Sequence, residues 1–103
     1  MEIIVYKLSG CGFCKRLLAS LDGEGISYIL RSAADPENRE DCDKMNALFE
    51  SAHYPKVVLY KGDETSFIVS SSAKRMPEVD KLHFYYYNTV DDIINVIKKQ
   101  NEA

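Results

Sequence analysis

A chain of 103 residues, 46% hydrophobic and 28% charged, has the composition of one folded domain, which excludes a disordered or repetitive chain. Its formal net charge of -3 and scattered basic residues give no concentrated positive surface for nucleic acid. Its apolar runs, such as "IIV" and "KVVLY", fall far short of the ~20 residues of a membrane helix. Met1 leads straight into a strand-like run rather than a leader, so the expected location is cytoplasmic. In such a reducing compartment, three cysteines point to catalysis or metal binding rather than to a structural disulfide.

In chain order, residues 2–8 (EIIVYKL) form a nearly continuous apolar run, as in a strand buried on both faces. A flexible SGCG follows. Leu17, Leu18 and Leu21 then recur at helical spacing, predicting a helix that begins at or next to Cys11 and ends near Asp22, before Gly23 and Gly25. Residues 26–32 alternate Ile26, Tyr28 and Leu30 and predict a second strand. Asp35 as cap and Pro36 at the first helical position predict a second helix, with Cys42, Met45, Leu48 and Phe49 on its apolar side.

A loop with Pro55 leads to a strand over 57–61, a turn at Gly62 and Asp63, and a strand through 67–69, which together read as a hairpin. The stretch 82–87 is aromatic enough for a further strand, and its partner is either this hairpin or 57–60 alone. Thr89 as cap, Asp92 three residues on, and Val90, Ile93, Ile94 and Ile97 on one face predict a closing helix. The order strand, helix, strand, helix, strand, strand, helix implies a parallel pair extended by antiparallel strands.

The chemistry concentrates in "SGCGFCKRLL", where Cys11 and Cys14 are one helical turn apart. A thiol attacks a disulfide only as its thiolate, and a helix opening supplies unpaired N–H groups and the positive dipole end that favour that charge. Lys7 and Lys15, with Arg16, add positive charge nearby. Cys11, nearer the loop, would attack first, and Cys14 would resolve the mixed disulfide. Two other readings stand beside this one. The pair could be small core residues, or half of a zinc site, for which only Cys42 and His53 remain, at spacings no common zinc module uses.

These residues resemble the glutaredoxins of the thioredoxin-fold superfamily, over about residues 1–61 and 88–99. IIVYKLSGCGFCKRLL is similar to the family's active-site strand, loop and helix, and DPENRED is similar to the acidic stretch opening its second helix. The resemblance implies a thioredoxin fold over one domain, 1–103, with a mixed sheet of four or five strands flanked by about three helices. HYPKVVLY stands in the place of the Thr-Val-Pro segment, which implies a cis Pro55 and a Tyr54 backbone that pairs with the disulfide under attack. Asp91 and Asp92 correspond to acids that hold glutathione, although Asn88 and Thr89 replace the family's glycines. Gly12 and Phe13 stand between the cysteines instead of Pro-Tyr, Phe13 offering an apolar edge to substrate, and Leu8 stands where the family has a basic residue. The segment 62–88 is an extension.

The resemblance implies a thiol–disulfide oxidoreductase that draws electrons from glutathione or a thioredoxin reductase. It would act as a monomer on protein disulfides or glutathionylated proteins, a ribonucleotide reductase among them by family analogy alone. Two alternatives remain. One is a glutathione-dependent carrier of a 2Fe–2S cluster held by Cys11, which Gly12 permits and the missing glycines oppose. The other is a redox-inert binding module using residues 72–87. Cys42 reads as a core residue or a third redox thiol, and HFYYY as a strand with aromatic faces or a stacking surface.

Overall fold

The computed structural model describes residues 1–102. The elements run β1 (Glu2–Lys7), α1 (Gly12–Gly23), β2 (Ile29–Ser32), a 3-10 turn (Pro36–Asn38), α2 (Arg39–Phe49), β3 (Lys56–Lys61), β4 (Glu64–Ser70), β5 (Leu82–Tyr87) and α3 (Val90–Glu102). One sheet holds all five strands in the order β2-β1-β3-β4-β5. β1 pairs parallel with β2 and antiparallel with β3, β3 antiparallel with β4, and β4 parallel with β5. Among the described residues no helix is long and apolar enough to cross a membrane.

Alternation along the central strands builds two cores. Ile3, Val5, Val57, Leu59 and Ile68 face Leu17 and Leu21 of α1 and Ile93, Ile94 and Ile97 of α3. Ile4, Tyr6 and Val58 face Cys42 and Met45 of α2. Both faces of β1 and β3 are therefore covered, which is why their sequences read as continuous apolar runs.

Three expectations change, and one open choice is settled. Strand β2 starts at Ile29 rather than at 26, where its register with Ile4 begins. Ile26 and Tyr28 instead pack on the α1 core from the preceding loop, and Leu30, on an edge strand, is 42% exposed. Asp35 makes no capping bond, and Pro36 opens a 3-10 turn that Asn38 ties to the Ser32 carbonyl at 2.9 Å, so α2 starts only at Arg39. Leu48 is half-buried, while Cys42, Met45 and Phe49 carry the apolar side. Residues 82–87 pair with β4 and not with 57–60, because both edges of β3 are already taken by β1 and β4.

The chain reaches β5 through 71–81 without a helix, and local bonds fix this crossover. Lys74 donates its N–H to the Phe49 carbonyl at 3.1 Å, and the Tyr86 hydroxyl donates to the Arg75 carbonyl at 2.8 Å. The rings of Phe67 and Phe84 each lie within 5.7 Å of the fully buried Phe49.

The start of α3 is a reciprocal cap. Asp92 Oδ2 accepts from the N–H groups of Asn88 (2.8 Å) and Thr89 (2.9 Å), and Asp92 N–H donates to Thr89 Oγ1 (3.2 Å). Thr89→Ala should lower the thermal midpoint by roughly 4–8 °C, equivalent to about 1 kcal/mol, as read by circular dichroism. The bonds from Asn88 first and Thr89 second hold the Asp92 carboxyl below its ordinary 3.8. Its contribution is complete above that ordinary value and is lost as pH falls through the lowered one. The stability gap between the protein and Asp92→Asn should therefore close in acid.

Candidate active site

β1 ends at Lys7, and the chain turns back through Leu8 and Gly10 to enter α1, with Cys11 N–H bonded to the Leu8 carbonyl at 3.3 Å. Gly10 has φ 77°, a conformation that favours glycine. Cys11 is the N-cap of α1, and its Sγ accepts the Cys14 N–H at 3.1 Å. Cys11 and Cys14 form a disulfide, with Cα atoms 5.2 Å apart. Cys11 is half-buried and Cys14 is only 1% exposed, the asymmetry expected from their positions in the turn.

The second wall follows from register. Tyr6 pairs with Lys56, so the residues just before β3 stand across from the end of β1 and the cysteine turn. There the Tyr54–Pro55 peptide is cis, as the family resemblance implies, and the Tyr54 carbonyl oxygen lies 3.8 Å from Cys11 Sγ. The Tyr87 hydroxyl donates to the Pro55 carbonyl at 2.7 Å, and the Tyr87 ring sits 5.1 Å from that of Phe13. Burial pushes the Tyr87 phenol up from its ordinary value, so it remains a donor across the working pH range.

Beneath this loop lies Lys56, 1% exposed. Its ammonium donates to Asn46 Oδ1 (2.8 Å), the Ser51 carbonyl (2.9 Å) and the His53 carbonyl (2.8 Å), and sits 4.5 Å from the centre of the Tyr54 ring. Burial lowers this amine to about 8, opposed by charge on Cys42. Burial, and then the bond to Cys42, push the Tyr54 phenol up to about 12.

Of the residues singled out in the sequence, Cys11, Cys14, Phe13, Tyr54 and Pro55 come together. Phe13, Arg16, Asn88, Thr89 and Asp91 line a groove of about 560 Å³ between the first turns of α1 and the start of α3. Asp91 is exposed there, whereas Asp92 is engaged in the cap of α3. Arg16 stacks over Phe13 at 5.5 Å. Lys15 is exposed and Lys7 half-buried, and neither makes a side-chain hydrogen bond or ion pair among the described residues. Exposed His53 contributes its backbone carbonyl. Cys42 is a free, buried thiol in the α2 core.

Lys56, Asn46 and Tyr87 were missed in the sequence. A lysine inside the otherwise apolar PKVVLY was the available signal, since a charge in a doubly buried strand needs acceptors waiting for it.

This fold and its C-x-x-C pair define a thioredoxin-fold thiol–disulfide oxidoreductase. No protein-family model matches the chain, and no curated protein matches it. Among solved structures it is similar to the crystal structure of a glutaredoxin from Archaeoglobus fulgidus, at 30% identity over 62% of this chain and 71% of that one, with a TM-score of 0.47. On that identity and coverage, together with the C-x-x-C pair, the chain belongs to the glutaredoxin family.

Proposed function

We propose that the protein reduces protein disulfides or glutathionylated proteins in the cytoplasm, with Cys11 as nucleophile and Cys14 as resolving thiol. The observation that carries this is the setting of Cys11: half-buried at the N-cap of α1, accepting a backbone N–H, and facing the Tyr54 backbone across the cis bond. N–H groups at a helix start favour the thiolate. The Cys11 thiolate attacks one sulfur of the substrate, a Cys11–substrate disulfide forms, and the other sulfur leaves as a thiolate that takes up a proton. Cys14 then gives up its proton and attacks Cys11 Sγ. The Cys11–Cys14 disulfide forms, and the second substrate sulfur departs and is protonated. Two electrons and two protons reach the substrate.

Reduction of the pair requires two glutathione molecules or one dithiol reductase. The groove beside Phe13, with the exposed Asp91, suits the ammonium end of glutathione. Against glutathione, the N–H groups of Asn88 and Thr89 are already bonded to Asp92 and are not open to its carboxylate. This favours a thioredoxin-type reductase as the second electron source. The deciding experiment is turnover of a glutathionylated peptide with glutathione and glutathione reductase, beside reduction of an insulin-type disulfide with thioredoxin reductase. Activity in the second assay alone is expected if the Asp92 cap closes the glutathione site. Inactivity in both would remove the oxidoreductase proposal.

A further inference from the structure

The buried amine of Lys56 has no part in the exchange chemistry, yet it sits directly beneath the backbone that faces Cys11. We propose that Lys56 is a positioning residue, its ammonium holding the Tyr54–Pro55 backbone in register with Cys11 through three oxygen acceptors and letting it move when the amine loses its proton. This rests on the proposed exchange reaction at Cys11.

The geometry is a count of donors. An ammonium has three N–H bonds, and Asn46 Oδ1, Ser51 O and His53 O take them at 2.8, 2.9 and 2.8 Å. One acceptor belongs to α2 and two to the loop that ends at Tyr54, so a single cation ties the loop to the helix. The Tyr54 ring covers the cation at 4.5 Å, which makes the orientation of Tyr54 part of the same arrangement. Burying a long, flexible amine costs side-chain entropy and hydration, and at 1% exposure no solvent role explains it. A neutral amine has two N–H bonds and a lone pair. One oxygen then loses its donor and faces that lone pair, and the loop has a reason to shift.

The titratable groups around Lys56 are Cys42 and Asp43 of α2, His53 and Tyr54 of the loop, and Tyr6, its partner on β1. Of these, Cys42 acts directly on Lys56 and favours the charged amine. Burial brings the transition to about 8, inside the range an enzyme assay covers.

The test is single-turnover transfer to the fully reduced protein from a blocked peptide bearing a mixed disulfide with 2-mercaptoethanol, from about pH 6 to about pH 10, a range in which that probe does not titrate. Iodoacetamide alkylation of Cys11 is followed in parallel, because it uses the same thiolate without the Tyr54 backbone. The ratio of transfer to alkylation should fall about tenfold as pH rises through 8, the loss of one charge-assisted bond. Lys56→Met should give the low ratio at every pH, and Lys56→Arg, which stays charged, should lack the alkaline fall. A ratio that stays flat in the unsubstituted protein overturns the proposal even if Lys56→Met does not fold. Alkylation without transfer at neutral pH would instead refute the exchange reaction itself.

Discussion

Cys11→Ser is expected to abolish disulfide exchange, by at least about 10³-fold, while Cys14→Ser retains the first chemical step and accumulates a mixed disulfide on Cys11. The asymmetry follows from exposure. Cys11 presents its sulfur at the turn, and Cys14, 1% exposed, reaches only a sulfur already joined to Cys11. Serine at position 11 keeps an acceptor for the Cys14 N–H, so α1 stays capped and the loss is chemical rather than structural. Mass spectrometry of Cys14→Ser incubated with a glutathionylated peptide reads the outcome. An adduct on Cys42 would reverse the assignment, because that thiol is buried in the α2 core.

Phe49→Ala should be the most damaging change away from the sulfurs. The ring is fully buried and meets Phe67 and Phe84 at 5.6 and 5.7 Å, and the residue's carbonyl takes the Lys74 N–H. It thus joins the end of α2 to β4, to β5 and to the crossover between them. Truncation of a buried Phe costs about 3–5 kcal/mol, which lowers the midpoint of a domain this size by roughly 12 °C or more. The loop carrying Ser51, His53 and Tyr54 leaves α2 immediately afterwards, so exchange activity should fall at temperatures where the variant is still folded. A midpoint within about 4 °C of the original would show that β5 is held by its backbone ladder rather than by this ring cluster.

The sequence was most readable where local rules and packing agree. β1 and β3 are apolar on both faces because helices cover both, and the cap of α3 is written in Thr89 and Asp92. Cys11 and Cys14 were legible because a short spacing fixes their geometry once a helix starts there. The start of α2 was not, since Pro36 suits a 3-10 turn as well as an α-helix and the choice lies with Asn38 reaching Ser32. The partner of 82–87 depends on which strand edges remain free, a property of the assembled sheet. Tyr87 acts on the cis loop across 32 residues of sequence in its bond to Pro55, a separation over which no local pattern operates. Its role appears only with the fold, whereas Lys56 lies within ten residues of its three acceptors and was signalled by a charge in an apolar run.

The sulfur proposed as the nucleophile, that of Cys11, is also the cap of a helix. That position normally belongs to Ser, Thr, Asp or Asn, whose charge does not change during turnover. Here it does. A thiolate is a stronger acceptor than a disulfide sulfur, so α1 is better capped in the reduced protein than in the oxidised one. Conformational stability and electron affinity therefore share one free energy: every tenfold by which the cap favours the reduced form raises the potential of this two-electron couple by about 30 mV. In the proposed exchange, the first turn of α1 sets how readily the protein gives its electrons away, and a change to its backbone donors would retune the redox couple without touching either cysteine.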